Sequence, residues 1–248
     1  MTRFLIRHEG IAGDHVTFDA EETRHLTRVL RLGPGDIVEA FDGMGSVLTV
    51  RLERASGRLA HGTLLAREAL QSESPLRLTL AQSIPKGDKM EGIVRMATEL
   101  GAARVVPLVT ARTVVRVEPG RSGPRLSRWQ RVAREAAKQS GRARIAEVTP
   151  PQTLAAWIAA RDTEELLVCL WEDAPEPLAP QLPPQPVTRA TVVVGPEGGL
   201  ERAEAEALRA AGAVVGGLGP RILRTETAGP VGLALLQARY GDLGGGGS

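Results

Sequence analysis

Two glycine-rich exits from apolar runs constrain this chain more than any other feature. The first is VVVGPEGGL, Val192 to Leu200, and the second is LGPRILRTETAG, Leu218 to Gly229. Val192, Val193 and Val194 are apolar without alternation, which reads as a strand buried on both faces. Gly195, Gly198 and Gly199 let the backbone turn sharply and approach a ligand, and Pro196 stiffens the turn. Two such exits describe an α/β domain with a ligand site outside the carboxyl ends of its strands. A tight turn before a helix accounts for GPEGG alone. It does not account for Arg224, Thr225, Glu226 and Thr227, hydrogen-bonding side chains set between apolar segments, which need partners.

The surrounding sequence alternates strand and helix. Leu76–Ile84, Val105–Val109, Leu166–Leu170 and Ala213–Val215 read as strands. Lys86–Leu100, a stretch capped by Ser127 and ending near Gly141, Leu154–Ala160, Ala203–Ala211 and a segment through Leu233 to Arg239 read as helices. Pro175 to Pro186 reads as an extended loop. This alternation predicts a parallel sheet covered on both faces. The amino-terminal stretch has a different rhythm. A strand at Arg3–Arg7 precedes a helix capped by Asp19, with Leu26, Val29 and Leu30 as its apolar stripe. Strand-like runs come next at Asp36–Phe41, Val47–Leu52 and Arg58–Ala66, separated by glycine-rich turns. Together they predict a small β-barrel of about seventy residues. The expected division is a barrel over 1–72, an α/β domain over 73–243 and a flexible tail over 244–248, with a hydrophilic linker at Gln71–Pro75.

Several classes are excluded. No GxGxxG or GxxxxGK[ST] occurs, which disfavours a Rossmann dinucleotide site or a P-loop. There is no HExxH and no His or Cys cluster, so no metal is expected. The single cysteine, Cys169, lies in the apolar run LLVCLW and reads as a buried structural thiol. No apolar run reaches membrane-spanning length and the start lacks a signal-peptide core, so a cytoplasmic protein without a membrane partner is expected. The net charge is only +2, yet between Arg104 and Arg144 eleven basic residues face two acidic ones. That block suits phosphate-backbone contact, with a solvated helix face as the plainer alternative. Arg131, Arg134 and Arg142 are its candidate RNA contacts. On the amino-terminal helix, His25, Arg28 and Arg31 lie three apart, so one face should carry all three; it is either a second RNA contact through Arg28 and Arg31 or a solvated amphipathic face.

The segments HLTRVLRLGPGD (His25–Asp36), KMEGIVRMATELGAARVVPL (Lys89–Leu108), REAAKQSGR (Arg134–Arg142), GPEGGL and LGPRILRTETA together resemble the ribosomal RNA small subunit methyltransferase E family, within the SPOUT superfamily. The resemblance covers nearly the whole chain in order and spacing. It implies a PUA-like amino-terminal β-barrel and a trefoil-knotted SPOUT domain that binds S-adenosylmethionine. It also implies a homodimer and N3-methylation of one uridine of 16S rRNA near the decoding centre, in the assembled 30S subunit. Gly195, Glu197, Gly198, Leu218, Gly219, Ile222, Leu223 and Thr225 fall where the family holds the cofactor, largely through backbone groups. Leu170 is a further candidate, for the adenine pocket.

The chemistry sets its own requirement. A methyl donor whose sulfonium charge disappears on transfer needs in-line placement more than acid–base power. Uracil N3 must lose a weakly acidic proton before it can attack. Arg224 is the candidate to stabilise the developing anion. Glu226 or Glu197 could accept the proton, or either carboxylate could bond loop amides in a structural role.

Overall fold

The computed structural model describes residues 3–55, 58–69, 73–115 and 123–244. Residues 71–72 of the expected linker, Arg116, Glu118 and Arg121 of the basic block, and residues 245–248 of the tail lie outside the described residues. The chain divides into two compact units, residues 1–73 with 135–145, and residues 74–134 with 146–248.

In the first unit, β1 (Phe4–Leu5), β2 (Ile11–Ala12), β3 (His15–Phe18), β4 (Ile37–Phe41), β5 (Ser46–Arg54) and β6 (Ala60–Ala69) form one sheet in the order β1-β4-β5-β6-β3-β2. The pair β1 and β4 is parallel and the other neighbours are antiparallel. Leu48, Val50 and Leu52 of β5 alternate into the core, as a pleated strand with one buried face requires. Phe4 and Phe18 come from strands far apart in the sheet order, yet their rings meet edge to face with centroids 6.1 Å apart. The sheet is therefore curled around Phe4, Ile6, Val16, Phe18 and Leu26. Residues 135–145 add Ala137 and Ala143, which pack against Leu5 and Phe41. Lys138 Nζ donates to Glu22 Oε1 at 2.7 Å. Burial raises the pKa of Glu22, against the pull of that ammonium.

The helix α1 (Ala20–Arg24) starts as expected, with Asp19 Oδ1 accepting from the Glu21 and Glu22 amides at 2.9 Å. It then widens into a π turn over His25–Val29. One extra residue per turn rotates the downstream side chains, so the expected stripe breaks: Leu26 is buried but Val29 is 65% exposed. Arg31 leaves the helix with φ of 57°. His25, Arg28 and Arg31 therefore do not share one helical face. Instead the His25 ring packs 5.5 Å from that of Phe4, and Arg28 and Arg31 are exposed.

The second unit carries β7 (Arg77–Ser83), α2 (Lys89–Glu99), β8 (Ala102–Val109), most of α3 (Gly123–Ser140), β9 (Glu147–Val148), β10 (Gln152–Thr153), α4 (Leu154–Ala160), β11 (Leu166–Leu170), β12 (Arg189–Val194), α5 (Arg202–Ala210), β13 (Val214–Gly216) and α6 (Thr225–Tyr240). Its parallel sheet runs β10-β8-β7-β12-β11-β13, with β9 also on β8. Side chains alternate across it. Ala81, Val193 and Cys169 pack with Leu154 and Trp157 of α4 and Leu208 of α5. Leu80, Val192 and Leu170 lie against α6. Burial pushes the Cys169 thiol up to about 12, in keeping with a structural thiol.

Two helices start earlier than expected. The helix α3 is already formed at Gly123, ahead of Ser127, because Pro124 is tolerated in a first turn. The helix α6 begins at Thr225, with Gly229, Pro230 and Gly232 inside it. These residues read as breakers in sequence. Packing overrides that propensity, since a β-carbon at Gly232 would lie 2.9 Å from Leu170 Cδ1 and hold the helix off the sheet.

The strand β13 lies at the sheet edge beyond β11, whereas α6 packs on β12 and β7. Residues 217–224 must return across the carboxyl ends of β11 and β12. They do so in backbone contact with the β11–β12 connection: Leu178 N donates to Gly217 O at 2.9 Å. A β-carbon at Gly216 would fall 2.6 Å from Leu178 Cα, so only glycine permits this approach. This is the crossing that a trefoil-knotted domain requires, an exception to the rule that chains do not thread loops. The fold class is the expected α/β one, with a separate curled amino-terminal sheet.

Candidate active site

At the carboxyl end of the parallel sheet, the exits of β11, β12 and β13 surround a cleft of about 380 Å³. Leu170, Gly195, Glu197, Leu218, Gly219, Ile222, Leu223, Arg224, Thr225 and Glu226 all line it. The sequence placed these ten residues at one site, and the fold brings them together from segments far apart in the chain. Gly198 is not among the lining residues. It packs against Arg112, whose Nη1 donates to Gly198 O at 2.5 Å. Ile222 stands at the rim, 83% exposed.

The first glycine-rich loop closes as a tight turn, with Gly199 N donating to Pro196 O at 2.9 Å and Gly199 at φ of 72°. Gly195 is enclosed: a β-carbon there would meet Gly199 C and Leu200 N, both at 2.8 Å. Thr225 Oγ1 donates to Gly195 O at 2.7 Å and joins the two loops. Gln82, fully buried at the end of β7, donates through Nε2 to Thr225 Oγ1 at 2.9 Å and to Ser83 O at 3.1 Å. Sequence reasoning missed Gln82. Its signal was present, a long polar side chain near the end of the apolar strand Leu76–Ile84, and such a group needs partners. Its Oε1 is buried without a hydrogen-bond partner among the described residues.

Lys89, at the first position of α2, was missed as well. Its Nζ lies 3.0 Å from Glu197 Oε1 and 3.2 Å from Glu226 Oε2, so one ammonium joins a carboxylate from each loop. The Lys86 amide adds a bond to Glu197 at 3.1 Å. The carboxylates raise the pKa of Lys89, Glu197 more than Glu226. Burial works to raise Glu197, but backbone amides and Lys89 outweigh it and hold the carboxyl below its usual range. Glu226 is held low chiefly by its own backbone amide, with burial opposing it and Lys89 and then Arg224 adding to the depression. Both are therefore ionised, and weak bases. Arg224 is the N-cap residue of α6 and exposed, and no side-chain hydrogen bond or ion pair involves it among the described residues. Glu172 lines the cleft too, its carboxylate filling the space that a side chain at Gly199 would take.

The predicted RNA contacts differ in placement. Arg131 is exposed on α3 and Arg134 is half-buried. Arg142 is a correction: its side chain is 8% exposed and pairs with Glu73 at 2.8 Å, so its guanidinium is engaged inside the first unit. Truncating Arg142 should destabilise the fold by about 1–3 kcal/mol, since it takes a charged hydrogen-bond partner from the half-buried Glu73 carboxylate, which among the described residues keeps only the Arg144 amide at 3.0 Å. In a nucleic-acid titration, Arg131→Ala should shallow the salt dependence by about one unit, while Arg142→Lys should leave the slope unchanged. Equal slopes for wild type and Arg131→Ala would return Arg131 to the solvated face. Arg28 and Arg31 stand exposed in the first unit. No helix among the described residues is long and apolar enough to cross a membrane.

Two family models match the chain, one describing an RNA methyltransferase domain over residues 72–237 and one an RNA methyltransferase PUA domain over residues 18–65. Ribosomal RNA small subunit methyltransferase E of Synechocystis sp. is 37% identical over 95% of this chain and 77% of its own length. Its namesake in Bacillus subtilis is 32% identical over 84% of each chain. Among solved structures, ribosomal RNA small subunit methyltransferase E of Neisseria gonorrhoeae bound to S-adenosyl methionine superposes with a TM-score of 0.86. That pair is 32% identical, with 98% of this chain and 99% of the other covered.

Proposed function

Because the chain belongs to the ribosomal RNA small subunit methyltransferase E family, we propose that it transfers the methyl group of S-adenosylmethionine to N3 of one uridine of 16S rRNA, near the decoding centre of the small subunit. The observation that carries this reading is the cleft built from both glycine-rich exits, with the Arg224 guanidinium among its lining residues and in no hydrogen bond or ion pair among the described residues. Its volume lies in the range of small-molecule sites. Its donors and acceptors suit this cofactor. Loop backbone at Gly195, Leu218 and Gly219 can bond the adenine and ribose, and Leu170 and Leu223 offer apolar walls. The carboxylates of Glu172, Glu197 and Glu226 suit a cationic donor.

S-adenosylmethionine supplies an electrophilic methyl group whose positive charge is lost on transfer. The chain supplies placement and charge. Arg224 stabilises the uracil anion at O2 or O4 by a charge-assisted hydrogen bond, so that N3 carries a usable lone pair. Glu226 accepts the N3 proton, directly or through water, at the low basicity that Lys89 imposes. Arg131 and Arg134 contact phosphates from α3, and Arg28 and Arg31 do so from the amino-terminal unit. The enzyme works as a homodimer on the assembled 30S particle in the cytoplasm. Along the chain the PUA-like domain takes 1–72 and the catalytic domain 73–243, with residues 135–145 of the latter lent to the compact unit of the former.

Lys89→Met tests the charge arrangement. Without the ammonium both carboxyls titrate at higher pH, so the acid limb of the pH–rate profile should move upward. The same linkage acts on folding. Carboxyls depressed in the folded state contribute stability at neutral pH and lose it as pH falls through their folded values, and the variant should lose that contribution. An unshifted acid limb would remove Glu197 and Glu226 from the proton path. The function as a whole is tested by transfer from labelled S-adenosylmethionine to 30S particles lacking modifications, followed by nucleoside analysis. The expected product is 3-methyluridine. A ribose-methylated or purine-methylated product would keep the cofactor site and replace the target.

A further inference from the structure

A second cavity, of about 410 Å³, lies at the opposite, amino-terminal end of the parallel sheet. It arises from the alternation of the strands on the α4 face. There β7 reads Arg77, Thr79, Ala81, β8 reads Arg104, Val106, Leu108, and β12 reads Arg189, Thr191, Val193. Each strand is apolar where α4 and α5 cover it and polar where it begins. Thr149, Gln152, Trp157, Arg161, Asp162 and Glu165 complete the wall.

Its charges are unevenly matched. Arg77 and Arg189 are in-register neighbours on adjacent strands, a like-charge pairing that disfavours the sheet unless something relieves it. Arg189 has Asp162 as a partner and Arg104 has Glu147. Arg161 donates to the carbonyls of Asp162 and Ala211 and pairs with no carboxylate among the described residues. Arg77 has no side-chain hydrogen bond or ion pair among the described residues. Glu165 accepts from Thr191 Oγ1 at 2.9 Å. Thr149 Oγ1 is buried without a hydrogen-bond partner among the described residues. A cavity lined by four arginines against two carboxylates, with a buried hydroxyl that has no hydrogen-bond partner among the described residues, suits an acceptor-rich anion.

We propose that this cavity is a phosphate-binding site, distinct from the cleft at the carboxyl end of the sheet. Arg77 and Arg189 clamp the oxyanion from adjacent strands, Arg161 and Arg104 flank it, and the Thr149 hydroxyl donates to it. Guanidinium forks match tetrahedral oxyanions bidentately, which lysines would not do. The phosphate comes from an RNA backbone or from a free phosphate ion. Such a site is independent of the reaction catalysed at the other end of the sheet.

The test uses the full-length chain at low ionic strength with two probes, inorganic phosphate and a single-stranded oligouridylate, measured calorimetrically. Arg77→Gln and Arg189→Gln are compared with wild type and with Arg125→Gln, an exposed arginine of α3 outside the cavity. Phosphate should bind wild type and Arg125→Gln alike and bind either cavity variant about tenfold more weakly, with S-adenosylmethionine affinity unchanged in all four proteins. If the oligouridylate loses affinity in parallel and phosphate displaces it, the natural ligand is an RNA phosphate. If it is indifferent to both variants, the ligand is the free ion. Equal phosphate binding by all four proteins, or none by wild type, overturns the proposal. Arg77→Lys guards against a folding artefact: it keeps the charge but not the fork, and it should be intermediate.

Discussion

Gly195→Ala should lower the affinity for S-adenosylmethionine by on the order of a hundredfold or more while the protein stays folded. The added methyl would stand 2.8 Å from both Gly199 C and Leu200 N, closer than carbon approaches backbone in real proteins. Neither atom belongs to a flexible side chain, so the turn from Pro196 to Gly199 has to open. Opening displaces Gly195 O from Thr225 Oγ1, now 2.7 Å away, and with it the bond that sets one loop against the other. A lost buried hydrogen bond costs about 1–3 kcal/mol and overpacking adds a similar amount. Calorimetry with the cofactor, beside circular dichroism and a thermal melt, separates loss of the site from loss of the fold. Wild-type affinity in the alanine variant would mean that the loop does not shape the cleft.

Arg224→Ala should reduce turnover by about 10²–10³-fold with cofactor affinity and melting temperature near those of the parent. The reason lies in what Arg224 lacks. It lines the cleft, caps no amide with its side chain and makes no ion pair among the described residues; its pull on Glu226 is the smallest of that carboxyl's influences, so its removal strands nothing. In the proposed reaction, its contribution then falls on the step in which the uracil ring gains negative charge. Single-turnover rates on 30S particles, with 3-methyluridine as the product counted, give that contribution directly. Arg224→Lys should recover only part of it, because an ammonium cannot present two parallel donors. A full rate in the alanine variant would leave Glu226 and placement alone to explain catalysis.

Much of the cleft was legible in the sequence because its signals are local. Gly195 and Gly199 mark backbone that must turn tightly, and the run from Arg224 to Thr227 marks polar groups that need partners, whereas Leu170, Leu218, Gly219, Ile222 and Leu223 were placed by the family resemblance alone. The residues that tie these segments together were not legible. Gln82 and Lys89 sit far upstream, in elements whose own periodicity is complete without them, and only the pairing of β7 with β12 reveals their role. The same blindness affected α6. Gly229, Pro230 and Gly232 argue against a helix locally, and only the contact with Leu170 and Val192 explains why a helix forms there. Periodicity also failed at His25–Val29, where a π turn broke the three-residue spacing that had placed Arg28 and Arg31 on one face. Arg142 failed for a third reason. A run of arginines looks alike in sequence, whereas burial against Glu73 singles one of them out.

The backward crossing of residues 217–224 also bears on how the protein is made. The wall of the cleft formed by residues 216–228, and the helix α6 that seals β7 and β12, leave the ribosome after every strand they cover. At about 5–20 residues per second, β7 and β12 wait seconds with one apolar face open to water. Leu80, Val192 and Leu170 then lack their cover, in a parallel sheet whose long-range pairings are slow to form. A nascent chain halted before Thr225 would hold a nearly complete sheet and no cofactor site. Synthesis of this enzyme should therefore depend on holdase chaperones more than its ordinary composition suggests, and ligand competence should arrive as a late, single event after the last helix is released.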